Sequence, residues 1–170
     1  MKPKTIIITL LVFTVISYLL VLSYKKSAST TASVQGIEQN GTKSLLTAPE
    51  IFYDFGTISM KNNDVTKEFT VTNLTDKDIT VATVLTSCMC TSAFIVEPDG
   101  TTKGPFKMPG MGYVPPANEI IKSKESRIIR VVYDPNAHGP AGVGAIDRFV
   151  TLIDTAGGTI QLEIKALVTP

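Results

Sequence analysis

Val65-Thr66-Lys67-Glu68-Phe69-Thr70-Val71-Thr72-Asn73 alternates, with Val65, Phe69 and Val71 on one face and Thr66, Glu68, Thr70 and Thr72 on the other. Successive side chains of a strand point to opposite faces, so this two-residue period predicts a half-buried β-strand. The same reading extends in both directions. Residues 51–56 form a short apolar strand ending at Gly56, and 79–86 places Ile79, Val81 and Leu85 on one face. Residues 94–96 and 127–133 follow, the latter stopped by Asp134-Pro135-Asn136, and 147–154 and 159–168 flank an Ala156-Gly157-Gly158 turn. Seven or so short strands with turn residues between them, and no amphipathic helix, predict an all-β, immunoglobulin-like β-sandwich of about seven strands.

A different composition precedes it. Residues 5–24 read TIIITLLVFTVISYLLVLSY without a charge. At about 1.5 Å per residue they span roughly 30 Å, the hydrocarbon thickness of a bilayer. The run exceeds the apolar region of about 7–15 residues usual in a cleaved signal peptide, so 1–24 reads as an uncleaved signal-anchor with one transmembrane helix. Lys2, Lys4 and the amino terminus stand against Lys25 and Lys26, a slight bias toward a cytoplasmic N-terminus. Residues 25–48 are small, polar and poor in aromatics, which predicts a flexible Ser/Thr-rich stalk, with the sandwich over 49–170. The expectation is a single-pass cell-membrane protein with its C-terminal domain extracytoplasmic. Sixteen basic residues against fifteen acidic ones, without a Lys/Arg cluster, exclude a nucleic-acid binder.

The segment 97–126 breaks the strand rhythm with Pro98, Pro105, Pro109, Pro115 and Pro116 and several glycines. Long loops inside compact domains are commonly functional. Phe106, Met108, Met111 and Tyr113 make this one too apolar for a solvated tail, and they form the candidate partner-binding patch.

The only two cysteines are separated by one residue, in Ser87-Cys88-Met89-Cys90-Thr91. On an extended strand, two such side chains share a face about 6.5–7 Å apart. A disulfide needs Cβ atoms about 3.5–4.5 Å apart, so closure would demand a bent backbone. Three readings stay open: convergent soft donors, a redox-labile bridge, or two buried thiols. Soft thiolate and thioether ligands select copper(I), and Cys88, Cys90, Met108, Met111 and the single histidine, His138, are the candidate ligands. The bland alternative makes the methionines gap-fillers and His138 a loop residue. No Cys-x-x-Cys, nucleophile elbow or metalloprotease motif is present, so a non-enzyme is expected. The sequons at Asn40 and Asn73 read as polar turns.

Several landmarks carry a resemblance. Tyr53-Asp54-Phe55-Gly56-Thr57-Ile58 resembles an "FDFG-x-I" opening, Phe69-Thr70-Val71-Thr72-Asn73 an "F-x-V-x-N" strand, and Thr86-Ser87-Cys88-Met89-Cys90-Thr91 a "TSCGCT" signature with Met89 in place of glycine. Val131-Val132-Tyr133-Asp134-Pro135 resembles a "V-x-F/Y-D-P" strand, and residues 144–168 a closing hairpin. Together they resemble domain-of-unknown-function family 1573, immunoglobulin-like bacterial domains related to interaction modules of ciliary and centrosomal proteins. The resemblance implies an exported, often membrane-attached sandwich and supplies no activity. Losing glycine's backbone freedom at Met89 predicts an altered local turn. The resulting expectation is a non-catalytic envelope adaptor for an unidentified protein partner. Copper(I) handling and thiol redox chemistry are the alternatives.

Overall fold

The computed structural model describes residues 42–170, in which ten strands are joined by turns and loops. The expected anchor at 5–24 and most of the expected stalk lie outside them. No helix among the described residues is long and apolar enough to cross a membrane.

The strands are β1 (Leu46–Thr47), β2 (Phe52–Ser59), β3 (Val65–Asn73), β4 (Ile79–Thr86), β5 (Thr91–Val96), β6 (Thr102–Phe106), β7 (Glu119–Ile121), β8 (Ser126–Tyr133), β9 (Gly144–Asp154) and β10 (Thr159–Thr169). They form two five-stranded sheets, β1-β3-β8-β5-β6 and β2-β10-β9-β4-β7. Neighbours are antiparallel except for β2, which runs parallel to β10. Only β5–β6 and β9–β10 are hairpins within a sheet, and every other connection crosses from one sheet to the other. Phe69, Val71, Ile95, Ile129 and Val131 from one sheet meet Val81, Val84, Val150, Leu152, Leu162 and Ile164 from the other in one buried core. This is the β-sandwich that the alternation predicts.

Three details depart from the sequence reading. The segment 97–126 is not one loop, because β6 and β7 lie within it as short edge strands. An edge position accommodates Pro105, whose missing N–H would interrupt an interior ladder. The ordered body also begins before Pro49. Leu46 is buried, Lys43 bridges Thr159, and the Ser44 hydroxyl donates to Asp154 Oδ2 at 2.6 Å.

The third departure is in β4. Val81 pairs with Asp154 while Thr83 pairs with Ile153, so Ala82 is an extra residue. Such a bulge exchanges the two faces of everything after it. Leu85, expected inside with Ile79 and Val81, is only partly buried, while Val84 and Thr86 turn into the core. The reversal places the Thr86 hydroxyl beneath the cysteines.

Candidate functional site

Because β4 and β5 belong to different sheets, residues 87–90 form a four-residue corner between them. Thr86 Oγ1 lies 3.1 Å from both the Cys88 and the Thr91 carbonyl oxygens, and the Thr91 N–H donates to the Cys88 carbonyl at 3.1 Å. Ser87 is zipped to β9: its N–H donates to the Phe149 carbonyl, and its hydroxyl accepts from the Phe149 N–H, both at 2.9 Å. A hydroxyl held in that way is not poised as a nucleophile.

The tight turn removes the premise that kept the cysteines apart. They do not lie on an extended strand: their Cα atoms are 5.2 Å apart and their sulfurs are bonded. Met89, half exposed, achieves this without the positive φ that glycine would make easy. Cys88 and Cys90 are both buried.

A second crossover lies against the first. The β8–β9 connection holds His138 just before a single 3-10 turn, Gly139–Gly142. The Asp134 N–H donates to the Cys90 carbonyl at 2.9 Å, which ties this connection to the corner. His138 is exposed, and its Nε2 sits 3.2 Å from Cys88 Sγ. The donor atoms of Cys88, Cys90 and His138 all lie within 4.8 Å of one another. Arg148 completes the surroundings, its Nε donating to Cys90 Sγ at 3.3 Å.

The other sequence candidates sit differently. Phe106 is a core residue, 1% exposed, and so is absent from the surface patch expected of it. It pairs with Ala93 and closes the end of the core. Met108 is partly buried, while Met111 and Tyr113 are 51% and 84% exposed. Their loop is stitched to β4 at both ends, by Thr86 N–H to the Lys107 carbonyl and Ala117 N–H to the Ala82 carbonyl. Arg148 was not among the sequence candidates. It shares the inward-facing period of Ile146 and Val150, both buried, and a charge at such a position is the signal that could have found it.

The model of the family described as "Protein of unknown function (DUF1573)" matches residues 46–102. Among solved structures, the chain is similar to a protein of unknown function from Porphyromonas gingivalis W83, at 14% identity and a TM-score of 0.52, over 75% of this chain and 48% of that one. It also aligns with the secreted serine protease VesC from Vibrio cholerae, at 14% identity and a TM-score of 0.45, over 74% of this chain and 24% of that one. The chain thus spans half or less of the length of these structures. The first likeness concerns fold alone, and the second is too loose to carry an argument. No curated protein matches the sequence.

Proposed function

We propose the function from the corner itself, since the family model that matches residues 46–102 brings no activity: a non-catalytic, extracytoplasmic binding domain whose reduced cysteines hold copper(I). The observation behind this is the convergence of two sulfurs and one imidazole nitrogen within 4.8 Å on two adjoining crossovers. Two thiolates select a soft monovalent ion, and the imidazole suits it as a third donor. Met108 or Met111, on the loop whose Lys107 carbonyl accepts from the Thr86 N–H, would supply a thioether as a fourth donor.

A copper(I) competition titration on the reduced protein tests this. One-to-one binding should disappear in Cys88→Ser/Cys90→Ser. It should weaken by more than about tenfold in His138→Ala, since even the loss of a supporting residue costs that much at a metal site. Weak binding, or binding indifferent to the cysteines, overturns the proposal.

A second reading, an envelope adaptor, draws on the exposure of Met111 and Tyr113. Large apolar groups grouped on a surface suit a protein partner. Reduced capture of one defined envelope protein by a Met111→Ser/Tyr113→Ser variant would support it. Unchanged capture would remove it. The membrane location remains part of the proposal on the strength of the charge-free run 5–24. Release of the protein from membranes by alkaline carbonate would exclude an integral anchor.

A further inference from the structure

The corner has two chemical states, and the structure presents the one that cannot bind a metal through thiolates, with Cys88 bonded to Cys90. We propose that an external dithiol opens this bond by attacking Cys88, and that Cys90 departs as a thiolate against Arg148. The exchange assignment concerns the bond itself. What the opened pair then binds rests on the copper(I) reading.

The two sulfurs have unlike surroundings. Cys88, 8% exposed, has its Sγ between the Cys90 N–H at 3.3 Å and His138, an exposed residue on a surface connection, so it belongs to the more open of the two residues. Cys90 is 3% exposed and enclosed by Arg148, by Thr91 Oγ1 at 3.7 Å and by the backbone that joins it to Asp134. In thiol–disulfide exchange the rate depends on which sulfur is accessible and on how well the departing thiolate is stabilised. Access favours attack at Cys88. The Arg148 guanidinium, already donating to Cys90 Sγ, favours departure of Cys90, because a hydrogen bond to an ionised acceptor is among the strong ones.

The electrons balance. A thiolate of the dithiol bonds to Cys88 Sγ, the bond to Cys90 breaks, and its electron pair stays on Cys90. The second thiolate of the dithiol then attacks its own sulfur in the mixed disulfide and expels Cys88 as a thiolate. The dithiol becomes a cyclic disulfide, two electrons pass to the corner, and the protons lost by the dithiol are available to the two protein sulfurs. Copper(I) occupancy would follow the supply of envelope dithiols, and an oxidant would close the corner and expel the ion.

The test uses the full chain in detergent. In Cys90→Ser, Cys88 should exchange with the aromatic disulfide DTNB at least about tenfold faster than Cys90 does in Cys88→Ser, as accessibility governs thiol reactivity. Opening of the oxidised protein by dithiothreitol, followed by maleimide trapping, should slow roughly tenfold in Arg148→Met and recover partly in Arg148→Lys. Equal or reversed exchange rates overturn the assignment of Cys88, and wild-type opening in Arg148→Met overturns that of Arg148. If Arg148→Met does not fold, the two cysteine variants still decide the direction of attack. Copper(I) titration of the same reduced samples separates the two readings. Asymmetric opening without copper binding removes the metal function alone, whereas copper binding with symmetric opening removes the exchange assignment alone.

Discussion

Thr86 and Asn73 show how single polar side chains replace regular pairing where the chain changes sheets. Thr86 Oγ1 reaches two carbonyls of the cysteine corner. Thr86→Val keeps the shape but leaves those carbonyls without their partner, so chemical denaturation should show a loss of about 1–2 kcal/mol. Asn73 is fully buried at the end of β3. Its amide nitrogen donates to the Lys77 and Ile121 carbonyls, and its Oδ1 accepts from both the Thr75 N–H and hydroxyl. The polar turn that its sequon suggested is real, and its side-chain amide is committed to it. Asn73→Ala should cost about 3 kcal/mol in the same experiment, as buried groups around it lose their partners.

At the scale of elements, β7 is only three residues long, yet it carries the buried Glu119 into an ion network that joins the two sheets. Glu119 pairs with Lys103 of β6 and, at 2.6 Å, with Arg127 Nε of β8, while Glu97 also pairs with Lys103, at 2.9 Å. Burial pushes the Glu119 carboxyl up, but hydrogen bonds, that from Lys103 foremost, outweigh it and hold the group below its usual range. A carboxyl lowered in the folded state contributes stability above its unfolded value, about 4.3, and loses it as pH falls through the folded value. The melting temperature should therefore fall with acidification below about pH 4.3, and Glu119→Gln should show a shallower fall from a lower start. Removing one partner of a buried pair sets that lower start, by about 3 kcal/mol at neutral pH.

Elements also show where the sequence was legible. The strands β3 and β4 begin and end where alternation and turn residues placed them, at Val65–Asn73 and Ile79–Thr86. The inward face of β4 was misread because Ala82 carries no mark of a bulge, being a small residue in an otherwise ordinary strand. The strand β6 was hidden by Gly104-Pro105, a pair that reads as a loop unless the strand is known to lie on an edge. The cysteine corner turned on a separate point, since an extended continuation of β4 keeps the sulfurs apart and the bent backbone left open as an alternative brings them together. His138 was singled out only by being the sole histidine, and Arg148 depended on a register that local pattern does not give.

Across the whole molecule, the described N-terminal residues belong to the body and not to a tether. Leu46 enters the core, and Ser44 holds the Asp154 carboxylate, which also accepts from the Ala156 and Gly158 N–H groups of the β9–β10 turn. A fragment starting at Pro49 should therefore be about 3 kcal/mol less stable than one starting at Thr42, from one buried leucine and one buried hydrogen bond. Urea unfolding of the two fragments checks it, and equal midpoints would place residues 42–48 outside the cooperative unit.

The two crossovers that meet at the cysteines and His138 each pass from one sheet to the other, some fifty residues apart in sequence. An ion held by all three side chains would join both passages at one point and would bind the folded chain more tightly than the open one, which keeps the two neighbouring thiolates but loses His138. Folding and loading then become one linked equilibrium. The midpoint of thermal unfolding should climb with free copper(I), by less than about 1.4 kcal/mol of stability for each tenfold excess over the dissociation constant, because the open chain keeps two of the donors. The sandwich itself becomes the gauge of how full its corner is.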